Sequence, residues 1–318
     1  MFQTEPLEQP RVFNPMPPNQ VLPMTRTPAY ALLACLPAIF LWSAFGVCAA
    51  TGQAAPQPVV LGQALSFDTD DTPEFTADGD TVFFDRSTSQ TSKTVMIAHK
   101  VGGVWSKPEV APFSGHWFDQ NPVLAPDGSY LLFDSNRPVT PDGKPLVQTL
   151  FGQPQPGSNI WRVERKGEGW GEPKWLGPTV NDSAFVDFPE IVADGSLYFM
   201  RWDQGAVHFF RAQYKDGQYL PAVRMAIGDP TVTTHDAAVA PDESFMVFDY
   251  GRVKGGLGRL CIAFREDGHW GKPMDLGDAI NQDLPWGSRL SPDHRTVYFT
   301  GATKIWSLSL EPWLVPGR

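Results

Sequence analysis

Between residues 73 and 299 one pattern of apolar and polar positions recurs five times: an alternating run, a short acidic turn, then a second apolar run. The copies are Pro73-Glu-Phe-Thr-Ala-Asp-Gly-Asp-Thr-Val-Phe-Phe84, Pro122-Val-Leu-Ala-Pro-Asp-Gly-Ser-Tyr-Leu-Leu-Phe133, Pro189-Glu-Ile-Val-Ala-Asp-Gly-Ser-Leu-Tyr-Phe199, Ala237-Ala-Val-Ala-Pro-Asp-Glu-Ser-Phe-Met-Val-Phe248 and Ser288-Arg-Leu-Ser-Pro-Asp-His-Arg-Thr-Val-Tyr-Phe299. Asp-Gly between strand-like runs is a hairpin signal, because glycine accepts the positive φ of a tight turn. Each copy therefore predicts two antiparallel strands. A third strand follows at Thr94–Ala98, Asn159–Val163, Val207–Arg211, Arg259–Ala263 and Lys304–Leu308. After it come an aromatic and a proline: Trp105 with Pro108, Trp170 with Pro173, Tyr219 with Pro221, Trp270 with Pro273. Proline lacks a ladder donor, which places this segment on the outer edge.

The turn aspartates Asp78, Asp127, Asp194, Asp242 and Asp293 recur at roughly 50-residue intervals, with one longer gap after Asp127. Repeats of about 40–50 residues made of strands and turns alone are the signature of a β-propeller. The repeat is offset along the chain. The last copy stops after its third strand, while an orphan outer-strand fragment, Pro58-Val-Val-Leu61-Gly62, precedes the first. Leu61 stands as far before Asp78 as Leu276 stands before Asp293. The expected fold is an all-β, five-bladed propeller over residues 57–312, its ring closed by the N-terminal strand.

Composition sharpens the picture at three points. The 29 glycines and 31 prolines sit mostly at repeated turn positions, so they punctuate structure. A net charge of −10 with no basic cluster argues against nucleic acid as a partner. Among the three cysteines only Cys261 lies in a predicted strand, where it reads as a small buried hydrophobe without a disulfide partner.

The uncharged apolar stretch Ala29–Ala50 follows Arg26 and ends in Val47-Cys48-Ala49, a small-x-small cleavage pattern. This predicts a signal peptide over 24–49 starting at Met24, with 1–23 a mis-assigned, disordered extension. The expected product is periplasmic or secreted and leaves the membrane once cleaved. An uncleaved anchor is the rival, weakened by Pro28, Pro37 and Gly46. Lipoprotein processing fits less well, because Val47 is bulky before Cys48.

The Ser/Ala-Pro-Asp-Gly-x-x-Leu/Val-x-Phe unit resembles the WD40-like PD40 repeat of the TolB type. Phe133-Asp-Ser-Asn-Arg-Pro138 with Asn159-Ile-Trp161, and the run Gly255–Gly277, are similar to a large group of exported bacterial PD40 proteins without a common chemistry. The resemblance covers about residues 57–310 and implies an exported propeller that binds something. Blade four departs from it, with Asp249-Tyr-Gly-Arg252 in place of Ser-Asn-Arg-Pro and with Arg259 where an acid is common.

Propellers bind ligands at a mouth of the central channel. Four residues before each marker aspartate stand Glu74, Val123, Glu190, Ala238 and Arg289; seven before stand Asp71, Gln120, Asp187, His235 and Trp286. The expected binding set is Asp71, Glu74, Gln120, Asp187, Glu190, His235, Asp236, Trp286 and Arg289, gathered at one channel entrance. Phe75, Leu124, Ile191, Val239 and Leu290 alternate with the first set and are expected between blades.

Two chemistries compete with plain structural pairing. Asp71, Glu74, Asp187 or Glu190 could supply the two carboxylates of a glycan-active hydrolase. Asp71 and Asp187 with their neighbours could instead hold a structural cation through oxygen ligands, no other cofactor being indicated. His235-Asp236 could form a base with its orienter, although adjacent strand residues usually face apart. His116-Trp117-Phe118-Asp119 could stack on a sugar or simply pack in its loop. No Gly-x-Ser-x-Gly elbow and no His-Glu-x-x-His or Cys-x-x-Cys pair occurs. The insertion Pro138–Ser158, with five prolines, predicts a recognition loop or a flexible spacer without strands. The functional expectation is a non-catalytic binder of an unidentified cell-envelope protein or glycan; the alternative is the hydrolase.

Overall fold

Every acidic turn in the sequence closes a hairpin. In the computed structural model the marker aspartate accepts the amide two residues on: Asp80 to Asp78 at 3.0 Å, Ser129 to Asp127 at 2.9 Å, Ser196 to Asp194 at 2.8 Å, Ser244 to Asp242 at 3.0 Å and Arg295 to Asp293 at 3.1 Å. The intervening residue takes positive φ, at Gly79, Gly128 and Gly195, but also at Glu243 (58°) and His294 (57°). Both side chains tolerate a conformation that glycine adopts freely, at some cost in strain. The structure describes residues 55–59, 61, 64–65, 69–89, 91–150, 152–251, 258–302 and 304–315. The expected extension and signal segment, and the part of blade four at 252–257, lie outside these.

Five antiparallel sheets result, each running from an inner first strand outward. The first strands are Asp70–Phe75, Asp119–Leu124, Val186–Ile191, Thr234–Val239 and Trp286–Leu290. Second strands (Thr81–Ser89, Tyr130–Ser135, Leu197–Asp203, Phe245–Tyr250, Thr296–Thr300) and third strands (Ser92–Val101, Asn159–Lys166, Ala206–Ala212, Arg259–Glu266, Ile305–Ser309) follow in order. The outer segment is broken at its proline. A two-residue aromatic ribbon such as Gly169–Trp170 is followed beyond Pro173 by a two-residue strand such as Lys174–Trp175, both paired with the third strand.

The fifth sheet lacks its own outer strand and takes one from the N-terminal side of the ring. Gln57 pairs with Ser307 and Pro58 with Trp306, and the Val59 amide donates to the Ile305 carbonyl at 2.9 Å. The ring is closed as the offset repeat predicts. Five apolar clusters sit between successive blades. Phe83 belongs to the one facing blade two, with Phe133 and Trp161. Its neighbour Phe84 belongs to the one facing blade five, with Val59 and Ile305. Adjacent strand residues point to opposite faces, so one Phe-Phe pair seals two interfaces.

The insertion differs from the expected loop. Val147–Leu150 and Gln153–Pro156 form an antiparallel ribbon, Val147 opposite Pro156. The Gly157 amide donates to Leu146 at 2.8 Å, so residues 153, 155 and 157 face the partner strand while Pro154 and Pro156 face away. Two prolines spaced by two leave every inward donor intact, which is why a proline-rich segment still pairs here.

The inner strands carry a feature that the repeat pattern does not predict. Each ladder shifts register between the residues seven and four before the marker: Asp71/Glu74, Gln120/Val123, Asp187/Glu190, His235/Ala238 and Trp286/Arg289. The bulged residue after the shift has positive φ in all five blades: Thr72 (52°), Asn121 (53°), Phe188 (54°), Asp236 (53°) and Gly287 (65°). Its freed amide reaches the preceding blade: Asn121 to Asp85 Oδ1 and Oδ2 at 3.0 Å, Phe188 to Asp134 Oδ2 at 2.7 Å, Asp236 to Met200 Sδ at 3.2 Å and Thr72 to Thr300 Oγ1 at 3.4 Å. Gly287 donates to Asp236 Oδ2 of blade four at 3.2 Å. The bulges therefore latch blade to blade around the hub.

Candidate functional site

The bulge divides the expected site residues into two groups instead of one entrance. The residues four before the marker meet at the hub. Arg289, 1% exposed, reaches from blade five and donates Nη1 to Glu190 Oε1 of blade three at 2.8 Å. Three further donors go to main-chain carbonyls: Nη1 also to Ser288 at 3.2 Å, Nη2 to Asn121 and Nε to Pro122, both at 3.3 Å. The guanidinium lies 4.1 Å from the Phe188 ring centroid. Glu74 joins this group, its Oε1 accepting the Leu124 amide at 2.9 Å. Burial pushes Glu74 up to about 7 against the pull of Arg289 and of the Leu124 amide. It pushes Glu190 up to about 8, with Arg289 pulling back and Glu74 adding to the rise.

Three of the residues seven before the marker, Asp71, Gln120 and Asp187, belong to a separate polar network. Lys93, from the third strand of blade one, places Nζ 3.1 Å from Asp71 Oδ1 and 3.6 Å from Asp85 Oδ2. Asp187 Oδ1 accepts Ser158 Oγ at 2.8 Å, Gln120 Nε2 at 3.0 Å and Asn121 Nδ2 at 3.3 Å. Burial holds Asp85 and Asp134 well above the usual carboxylate range; Lys93 opposes that rise at Asp85, while Asp187 adds to it at Asp134. Where a cation beside Asp71 was expected, a lysine ammonium sits. Among the described residues no three His, Cys, Asp or Glu side chains come together as a metal-holding group.

The other expected residues scatter. Asp236 is spent on the Gly287 amide. His235 pairs in register with Asp249, and Trp286 with Thr300. Neither belongs to the hub group. Trp117 is 38% exposed, and Phe118 is tied to Asn136 through its amide at 2.8 Å.

A cavity of about 450 Å³ opens at the channel mouth on the side of the acidic turns. Its walls are Phe75, Leu124, Ile191, Val239 and Leu290, the residues expected between blades, with Glu74 and Glu190 among them. Pro126, Pro241 and Pro292 also line it, as do Asp78, Asp127, Arg165 and His294. Asp78 and Asp127 are held below the usual carboxylate range by hydrogen bonds within their own turns, from the Thr76 and Ser129 hydroxyls above all. The volume lies within the roughly 300–1,000 Å³ of small-molecule sites. Asp71, Gln120, Asp187, His235 and Trp286 do not line it.

Sequence reasoning passed over Lys93, Asp85 and Asp134. The last two carried a signal: an Asp follows the second-strand Phe at Phe84-Asp85 and Phe133-Asp134, and again at Phe248-Asp249.

No protein-family model and no curated protein sequence matches the chain. Among solved structures it is similar to a protein of unknown function from Dyadobacter fermentans, at 15% identity over 81% of this chain and 83% of that one, with a TM-score of 0.48. It is also similar to TolB from Acinetobacter baumannii (13%, 76% of this chain, TM-score 0.46), of which it spans 54%, about half. A third is a gluconolactonase from Xanthomonas campestris, at 12% identity over 80% of this chain and 94% of that one, with a TM-score of 0.44. TolB-like propellers are among these neighbours.

Proposed function

We propose that the chain is an exported, non-catalytic propeller that binds a protein or glycan of the cell envelope at the turn-side mouth of its channel. The observation that carries this reading is the Arg289–Glu190 bond at 2.8 Å across a filled hub. It commits one of the two mouth glutamates to Arg289 and leaves a shaped cavity of mixed apolar and charged lining beside it. Export is supported by the apolar stretch Ala29–Ala50. Among the described residues no helix is long and apolar enough to cross a membrane. The ribbon within 138–158 is a second candidate contact, because its two strands form a sheet separate from those of the blades.

A hydrolase acting on glycans is the second reading, favoured by one observation. Glu74 and Glu190, raised to about 7 and about 8, both line the cavity, and a general acid is a carboxyl held protonated near neutrality. Against it, the rim acids Asp78 and Asp127, the nearest candidates for a base, are occupied by their own turns. The experiment is a glycoside panel on the wild type and Glu190→Gln, paired with capture of envelope components. Turnover abolished by that substitution would replace the binder with the enzyme. Capture without turnover, lost when the mouth is filled by Leu124→Trp, supports the binder.

A further inference from the structure

The two mouth glutamates are asymmetric in what they offer. Glu74 uses Oε1 for the Leu124 amide and Glu190 uses Oε1 for Arg289. Among the described residues no hydrogen bond reaches either Oε2, and both residues line the cavity, Glu190 only 7% exposed. Neither oxygen is among the buried polar atoms without a partner, so each faces the open cavity and can meet a ligand there. Arg289 supplies one positive charge for two carboxyls, and its four hydrogen bonds run to Glu190 and to three carbonyls outside the cavity lining. An anionic ligand would therefore meet glutamate oxygens first. A neutral one would leave one acid to be protonated.

We propose that the cavity takes a ligand with a single ammonium group on an apolar body, the cation meeting Oε2 of Glu74 and Glu190 and the body packing on Phe75, Leu124, Ile191, Val239 and Leu290. This rests on the reading of the turn-side mouth as the binding site and adds the chemistry of its ligand. A lysine side chain or an alkylamine would satisfy it; so would the amino terminus of an apolar peptide. The arriving charge completes the balance of one guanidinium and one ammonium against two carboxylates. Binding should accordingly release a proton, because both glutamates are held partly protonated near neutrality when the cavity is empty. The other charged groups facing the cavity are Asp78, Asp127, Arg165 and His294 at its rim.

The test is calorimetric titration of the full chain with n-hexylammonium, 1-hexanol and hexanoate, three probes of one length and different charge. Hexylammonium should bind at least about tenfold tighter than hexanol, a difference set by one matched buried charge. Hexanoate should not bind. Affinity for the amine should rise between pH 6 and pH 8 by up to about tenfold per unit, as one proton per ligand is displaced. Glu74→Gln should lose that slope and most of the selectivity, whereas His294→Gln should keep both, excluding the rim imidazole as its source. Unchanged thermal unfolding of each variant establishes that it is folded. Equal binding of amine and alcohol, or tighter binding of hexanoate, overturns the charge assignment while leaving the mouth a binding site. Failure of all three probes overturns the inference too. In that case the broader reading stands only if envelope components are still captured and are released by Leu124→Trp.

Discussion

Glu190 on blade three and Arg289 on blade five touch across the hub, with Nη1 2.8 Å from Oε1, and neither is adjacent to the other in the ring. The pair spans the channel instead of sealing a neighbouring interface. Removing Arg289 costs about 1–3 kcal/mol, because Glu190 loses its donor and, already raised to about 8, takes up a proton in its place. Arg289→Met should lower stability by that amount at pH 8, and adding Glu190→Gln should restore part of it. Chemical denaturation of the single and double variants measures this. A single variant as stable as wild type would show the bond to be incidental.

Stability should fall as pH rises through neutrality. Glu74 and Glu190 sit at about 7 and about 8 when folded, against roughly 4.3 for an unfolded glutamate. Between these limits the folded chain binds more protons than the unfolded chain, so each group destabilises the fold increasingly as pH climbs. The slope reaches at most about 1.4 kcal/mol per pH unit per group. Urea midpoints between pH 5.5 and 8.5 should decline, and the Glu74→Gln, Glu190→Gln pair should flatten the decline. Asp85 and Asp134 are raised as well and add in the same direction. A midpoint that climbs over this window contradicts the assignment.

The N-terminal strand should be indispensable. Val59 is buried in the same cluster as Ile305, Phe84 and Met96. Deleting residues 50–64 removes the outer edge of blade five and uncovers that cluster. Loss of a cooperative thermal transition is the expected result, and an unchanged melting temperature would argue against closure.

Gly287 marks the bulge of blade five with φ of 65°, and a Cβ there would meet Thr72 Oγ1 at 3.2 Å. Gly287→Ala should cost about 1–2 kcal/mol from the left-handed backbone alone. Gly287→Val should cost more, as its branches press on Thr72. Equal stabilities for wild type and Val would mean that the hub backbone relaxes freely.

Replacing Pro141–Pro156 by a short Gly-Ser linker should leave the propeller folded, since the ribbon forms a separate two-stranded sheet. The expected change is within about 1 kcal/mol, the scale of altered loop closure. Collapse of the ring would give the ribbon a structural role in blade two.

The architecture was legible because it is written in local chemistry repeated five times. Asp-Gly turns and Phe-rich second strands each declare one hairpin, and the displaced Pro58–Leu61 fragment declares the closure. The site was less legible because the bulge breaks the period-two rule that places side chains. Thr72 and Phe188 are poor left-handed residues, so their composition conceals the kink. The prolines that follow Thr72, Asn121 and Phe188 were the available sign, since proline inside an inner strand argues for a bulge. Lys93 was invisible for another reason. It belongs to a third strand, and only the long hairpin of blade one carries it back to Asp71.

The clasp between Gln57 and Ser307 joins positions 250 residues apart, which makes completeness of the chain a condition of its folding. The first strand of the ring to leave the ribosome has no partner until the last has been made. Such a chain stays unclosed, and its terminal blade stays wet, for the whole of synthesis. The same dependence means that a product truncated anywhere in blade five exposes an apolar face by which proteases can recognise it.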